Sequence, residues 1–169
     1  ERRQHEDSRG FLSRLYCAEE FRDIGVRSSI SQVNHTLTRR KGTVRGMHYQ
    51  LPPHAETKVV SCLRGEIFDV AVDLRKNSPT FLKWHGEILS ATNLRSLIIP
   101  EGFAHGFQTL TDDCELVYFH TAAYEASAEA ALHARDPRLK IAWPIEITEM
   151  SDRDCNHPFL STEFSGIEP

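Results

Sequence analysis

Between about Val26 and Thr121, apolar and polar residues alternate in short runs separated by turn residues, the pattern of an all-β sandwich or barrel. Helical spacing is scarce there. The clearest run is Gly65–Leu74, where Phe68, Val70, Val72 and Leu74 alternate with Ile67, Asp69, Ala71 and Asp73, so that one side of the strand is apolar throughout. Further strands are expected at Ser29–Leu37, Thr43–Gln50, Lys58–Leu63, Thr80–Leu89, Arg95–Ile99, Gly106–Leu110 and Glu115–Thr121, punctuated by the turn sequences KNSP, SATN and TDDC. Eight strands at this spacing would close a small barrel. Two segments depart from the pattern. Ala18–Ile24 and Glu125–Ala134 read as short helices, the second because EASAEAALHA is rich in helix formers, with an ordered loop as its alternative. After Asp136-Pro137 the chain turns irregular, with Trp-Pro at 143–144 and His-Pro at 157–158, and residues 138–169 are expected to wrap the barrel as a covering tail. No repeat or flexible linker divides the chain, and a single domain over 1–169 is expected.

At 169 residues with 40% apolar side chains, a core can be built without a metal or disulfide staple. Lys plus Arg number 20 against 24 Asp plus Glu, a formal charge of −4, which lacks the basic surplus of a nucleic-acid binder. No run approaches the ~18 apolar residues of a membrane span, and ERRQHEDSRG is too polar for a signal-peptide core. A cytoplasmic protein is expected, and the start at Glu1 rather than Met suggests further residues upstream. Cys17, Cys62, Cys114 and Cys155 form no C-x-x-C pair and are read as reduced thiols.

The chemistry-bearing stretch is PEGFAHGF, Pro100 to Phe107, which follows the strand SLII. It resembles the second motif of the cupin superfamily, which implies a jelly-roll barrel of antiparallel strands with few helices. In cupins a first motif supplies His-x-His and a Glu, and these with the second-motif His hold a metal. Here Gly42, His48 and Gly65 fit that frame, but Gln50 stands in the second His slot and Lys58 in the Glu slot. An ammonium group repels a divalent cation, so no metal is expected there.

A narrower likeness accounts for the change. RGMHYQLPP, GEIFDVAVDLRKNSPTF, LSATN, IPEGFAHGF, DPRLKIAWP and SDRDCNHP, spread over roughly Asp7 to Leu160, resemble in order and spacing the dTDP-4-dehydrorhamnose 3,5-epimerases. Such enzymes invert two carbons flanking a ketone in a nucleotide-linked sugar without a cofactor. That chemistry needs a base for a weakly acidic proton, a positive group at the carbonyl oxygen and an acid on the opposite face. The resemblance implies His48 as base, Lys58 at the ketone oxygen, Tyr118 as acid and Asp154 as the carboxylate that fixes the tautomer of His48. It also implies Arg9, Gln32, Asn34, Arg45, His105, Tyr124 and Arg153 as substrate-binding residues, and a homodimer in which the segment through Phe11 reaches the partner. Strand alternation alone does not put Arg45 on the face of His48, three positions away, and His105 could equally pack beneath the rim. The other histidines, His120 and His157 among them, fit no ligand spacing and are taken as surface or structural.

Two stretches depart from the family pattern. Leu12, Ser13 and Arg14 follow Phe11 where consecutive Phe residues and a Glu are usual, and AALHAR replaces Gly-Ile and Trp-Asp elements between Tyr124 and Asp136. Both belong to the nucleotide-recognition end, which leaves open an epimerase acting on another nucleotide-linked keto sugar or at one carbon only. A non-catalytic sugar-nucleotide-binding cupin and a metal-dependent cupin are the rivals from other classes.

Overall fold

The computed structural model describes residues 1–168. Three antiparallel sheets account for its strands. A hairpin of β1 (Gln4–Asp7) and β2 (Gly10–Ser13) precedes α1 (Ala18–Asp23). One sheet of the barrel has the order β3 (Gln32–Thr38), β10 (Cys114–His120), β5 (Lys58–Arg64), β8 (Ser96–Ile99). The other runs β11 (Glu129–Ala131), β4 (Val44–Gln50), β9 (Phe103–Thr109), β6 (Glu66–Asp73), β7 (Trp84–Ser90), and a one-turn helix α2 (Asp152–Cys155) lies in the tail. This is the all-β barrel expected from the alternation, in the antiparallel jelly-roll form that the cupin resemblance implied.

Period-two alternation sorts the apolar residues into three layers. Val60, Cys62, Ile67, Leu89, Phe107 and Leu116 fill the space between the two large sheets. On the outer face of the four-stranded sheet, Val59, Val117 and Phe119 meet Phe21 of α1 and Val26. The wholly apolar side of β6 does not face the barrel interior. Val70, Val72 and Leu74 point outward, where Leu139, Trp143, Leu160, Phe164 and Ile167 of the tail pack over them. Phe68 sits edge-on between Trp84 and Trp143, with ring centroids 6.2 and 6.3 Å away. The mixed side, with Asp69 and Ala71, faces inward.

The expected helix over Glu125–Ala134 is not formed. Its centre is β11, whose Glu129, Ala130 and Ala131 pair with Gln50, Tyr49 and His48. Without it β4 would present a bare edge of unpaired backbone groups, and that demand overrides the helical propensity of alanine. The strand expected to begin at Thr80 begins at Trp84. Asp73 accepts hydrogen bonds from the Ser78 and Thr80 hydroxyls and from Arg75, which ties this stretch into a turn.

Strands β4 and β9 approach closely because both carry glycine at the contact. A Cβ on Gly106 would lie 2.5 Å from Met47 Sδ and 2.8 Å from the Arg45 carbonyl oxygen. Gly106→Ala should therefore lower the stability by about 1–3 kcal/mol, the usual cost of overpacking. The check is the urea midpoint at constant slope, and an unchanged midpoint would contradict so tight a contact.

Candidate active site

A cavity of about 240 Å³ opens between the two large sheets, lined by His48 and Arg45 from β4, Lys58 from β5, His105 from β9 and Tyr118 from β10. Arg45 and His48 share this face through a β-bulge. Arg45 pairs with Phe107 and His48 with His105, so Gly46 and Met47 together oppose Gly106 alone. Gly46 has φ +136°, a conformation open to glycine, and Met47 is fully buried on the outer side. The extra residue resets the alternation and turns both polar side chains inward.

Asp154 is brought to His48 by the tail. Ser151 caps α2 by accepting a hydrogen bond from the Asp154 N–H at 3.0 Å, and Asp154 Oδ1 lies 2.8 Å from His48 Nε2. Burial works against the charged carboxylate, but hydrogen bonds from His48, the Gly46 N–H and Ser151 outweigh it and hold its pKa below the ordinary value. An ionised carboxylate only accepts hydrogen bonds, so in the neutral ring of His48 this contact selects the tautomer with hydrogen on Nε2 and a free lone pair on Nδ1.

Lys58 is anchored from a second direction. Its Nζ lies 3.1 Å from Glu56 Oε1, and Glu56 Oε2 lies 2.7 Å from His120 Nδ1. Burial alone would raise the Glu56 pKa; the His120 and Lys58 contacts reverse that and lower it. Tyr118 is buried between His105 and His120, with ring centroids 6.1 Å from each. Burial pushes its phenol well above the usual range, so it keeps its proton at neutral pH. His105 in turn is held by Asp69 at 2.7 Å.

The profile of the dTDP-4-dehydrorhamnose 3,5-epimerase family matches residues 1–162. The chain belongs to that family. A dTDP-4-dehydrorhamnose 3,5-epimerase from Shigella flexneri is 46% identical over 151 residues, which are 89% of this chain and 83% of the relative. The crystal structure of the Bacillus anthracis epimerase, with TDP and pyrophosphate bound, superposes with a TM-score of 0.90 at 41% identity, covering 95% of this chain and 91% of that one. An epimerase from Legionella pneumophila in complex with dTDP-4-keto-L-rhamnose gives 0.91 at 36% identity, covering 99% and 91%.

Against the epimerase family's pattern, the residues named from the sequence divide into three groups. Gln32, Asn34, Arg45, His105 and Tyr124 line the cavity with His48, Lys58 and Tyr118. Arg153 and Asp154 line an adjoining cavity of about 600 Å³ that shares Arg45 and His48 with the first. Arg153 is ion-paired with Glu129, to which the Tyr124 hydroxyl also donates at 2.7 Å. Arg9 lines neither. It lies in the β1–β2 turn, exposed, with its guanidinium 2.6 Å from Asp7.

Several site residues escaped the sequence reading. His120, taken as surface or structural, is a buried residue that also lines the cavity, because alternation along β10 puts it on the face of Tyr118. The same alternation turns Asp69 inward, and an acid in the middle of a buried strand was the available signal. Glu56 precedes its strand and carried no signal. His157 lies beside Asp154, with Nε2 3.7 Å from Asp154 Oδ1, because the turn of α2 carries it back over the dyad.

The residues in the cupin metal slots do not fit a metal. Gln50 Nε2 donates to the carbonyls of His54 and Ala123 while Oε1 accepts from the Glu125 N–H, so its amide is committed to holding the loop. Lys58 adds a positive charge paired with Glu56, and His105 Nε2 is taken by Asp69.

For the surroundings, no helix is long and apolar enough to cross a membrane among the described residues.

Proposed function

We propose that the protein inverts both carbons flanking the ketone of dTDP-4-dehydro-6-deoxy-D-glucose, giving dTDP-4-dehydro-L-rhamnose, in the cytoplasm and without a metal. The observation that carries this reading is a histidine fixed by a buried carboxylate and facing a lysine and a neutral phenol across one cavity. His48 Nδ1 removes the proton next to the ketone. The Lys58 ammonium, with two donors left after Glu56 takes one, stabilises the enolate oxygen. Tyr118 returns a proton to the opposite face. Arg45 and Arg153 supply charge for the diphosphate, alongside Gln32, Asn34 and Tyr124.

We also propose a homodimer, supported by the hairpin of β1 and β2, where Phe11 is 64% and Leu12 72% exposed. Arg9 in the same hairpin would then serve the partner's cavity and not its own.

Incubation with the keto sugar in deuterated water, with chelator present, tests the reaction. Deuterium should enter at both carbons beside the ketone while the two centres invert. Retention of both original hydrogens by active enzyme would sink the proposal, and loss of activity on chelation with recovery on adding metal would remove its metal-free part.

A further inference from the structure

Among the described residues, one group of three side chains has its ligand atoms close enough to hold a metal ion: His48, Asp154 and His157, within 4.8 Å of one another. It lies behind the cavity face of His48 and uses none of Gln50, Lys58 or His105. His48 Nε2 is 2.8 Å and His157 Nε2 3.7 Å from Asp154 Oδ1. A tetrahedral zinc ion with bonds of about 2.0–2.2 Å spaces its ligand atoms by roughly 3.4 Å, so both distances to Asp154 Oδ1 lie within about 0.6 Å of that spacing, and the two imidazoles, at most 4.8 Å apart, have at most about 1.4 Å to close. Two imidazoles and one carboxylate, with a fourth position open, are a donor set that suits zinc better than magnesium or calcium.

The state of His157 points the same way. Its Nε2 is buried and has no hydrogen-bond partner, a costly condition that a bound ion would relieve. Arg153, the cation beside the group, is already paired with Glu129.

We propose that His48, Asp154 and His157 form an inhibitory Zn²⁺ site that switches off the base. The inhibitory part rests on His48 acting as proposed above. In the free enzyme His48 has hydrogen on Nε2 and a lone pair on Nδ1. Zinc takes the Nε2 lone pair, so the neutral ring must carry its proton on Nδ1. The imidazole gains and loses one proton, its net charge is unchanged, and Nδ1 can no longer accept the substrate proton.

The test is calorimetric titration of ZnCl₂ into chelator-treated, tag-free protein, run beside exchange assays at the same zinc concentrations. One equivalent should bind and abolish exchange. Inhibition of His157→Ala and His157→Phe is read against each variant's own zinc-free exchange rate. In both, zinc affinity and the half-inhibitory concentration should move together by about 10²-fold, since loss of even an outer-shell partner commonly costs 10–100-fold. The phenylalanine variant keeps ring volume against His48, so agreement of the two excludes loss of packing as the cause. Binding that is absent, or unaffected by both substitutions, overturns the site. Binding that depends on His157 while the zinc-loaded enzyme stays active overturns instead the assignment of His48 Nδ1 as the base.

Discussion

His48→Ala should abolish both deuterium exchange and epimerisation, because without a base no enolate forms. Loss of a general base costs about 10²–10⁴-fold in rate. The same loss must appear in exchange and in inversion, since both follow proton removal. Asp154→Asn distinguishes chemistry from folding: it keeps the shape of the contact at His48 Nε2 but removes the acceptor charge that fixes the tautomer. Exchange at the parent rate in His48→Ala would reassign the base, with His105, held by Asp69, as the next imidazole on the cavity wall.

Tyr118→Phe should separate the two activities. The ring would still pack between His105 and His120, so the cavity keeps its shape and the base is untouched. The enolate still forms and takes a proton back on the face it came from. Deuterium uptake should therefore persist while inversion falls by about 10²–10⁴-fold, the range for loss of a positioned acid. The decisive quantity is the ratio of exchange to inversion. If it equals the parent's, Tyr118 is not the inverting acid, and Tyr124, whose hydroxyl donates to Glu129, is the next candidate.

Most strands were legible because each has one buried side and a turn at its end, so a local pattern carries the answer. The helix expected at Glu125–Ala134 shows where local pattern fails. Nothing within EASAEAALHA reveals that β4 needs an edge partner, which is a property of residues 48–50. The bulge was hidden for a related reason, since two residues opposing one can be seen only when both strands are in view. The His48, Lys58, Tyr118 and Asp154 group was named from family motifs. The groups that hold them, Glu56, Asp69 and His120, belong to no short motif and emerge only from the packing. His157 lies in a tail whose path could not be read from its residues.

The outward placement of the apolar side of β6 divides labour along a single strand. Val70 and Val72 anchor the tail, while Asp69 and Ala71, one step away each time, face the cavity side of the barrel. Adaptation to a hotter environment can thus draw on the outward positions, where the tail is gripped, without reshaping the cavity wall. The inward face has no such freedom, since Phe107 and Tyr118 both fill the core and line the cavity, so a change of sugar is felt by the fold as well.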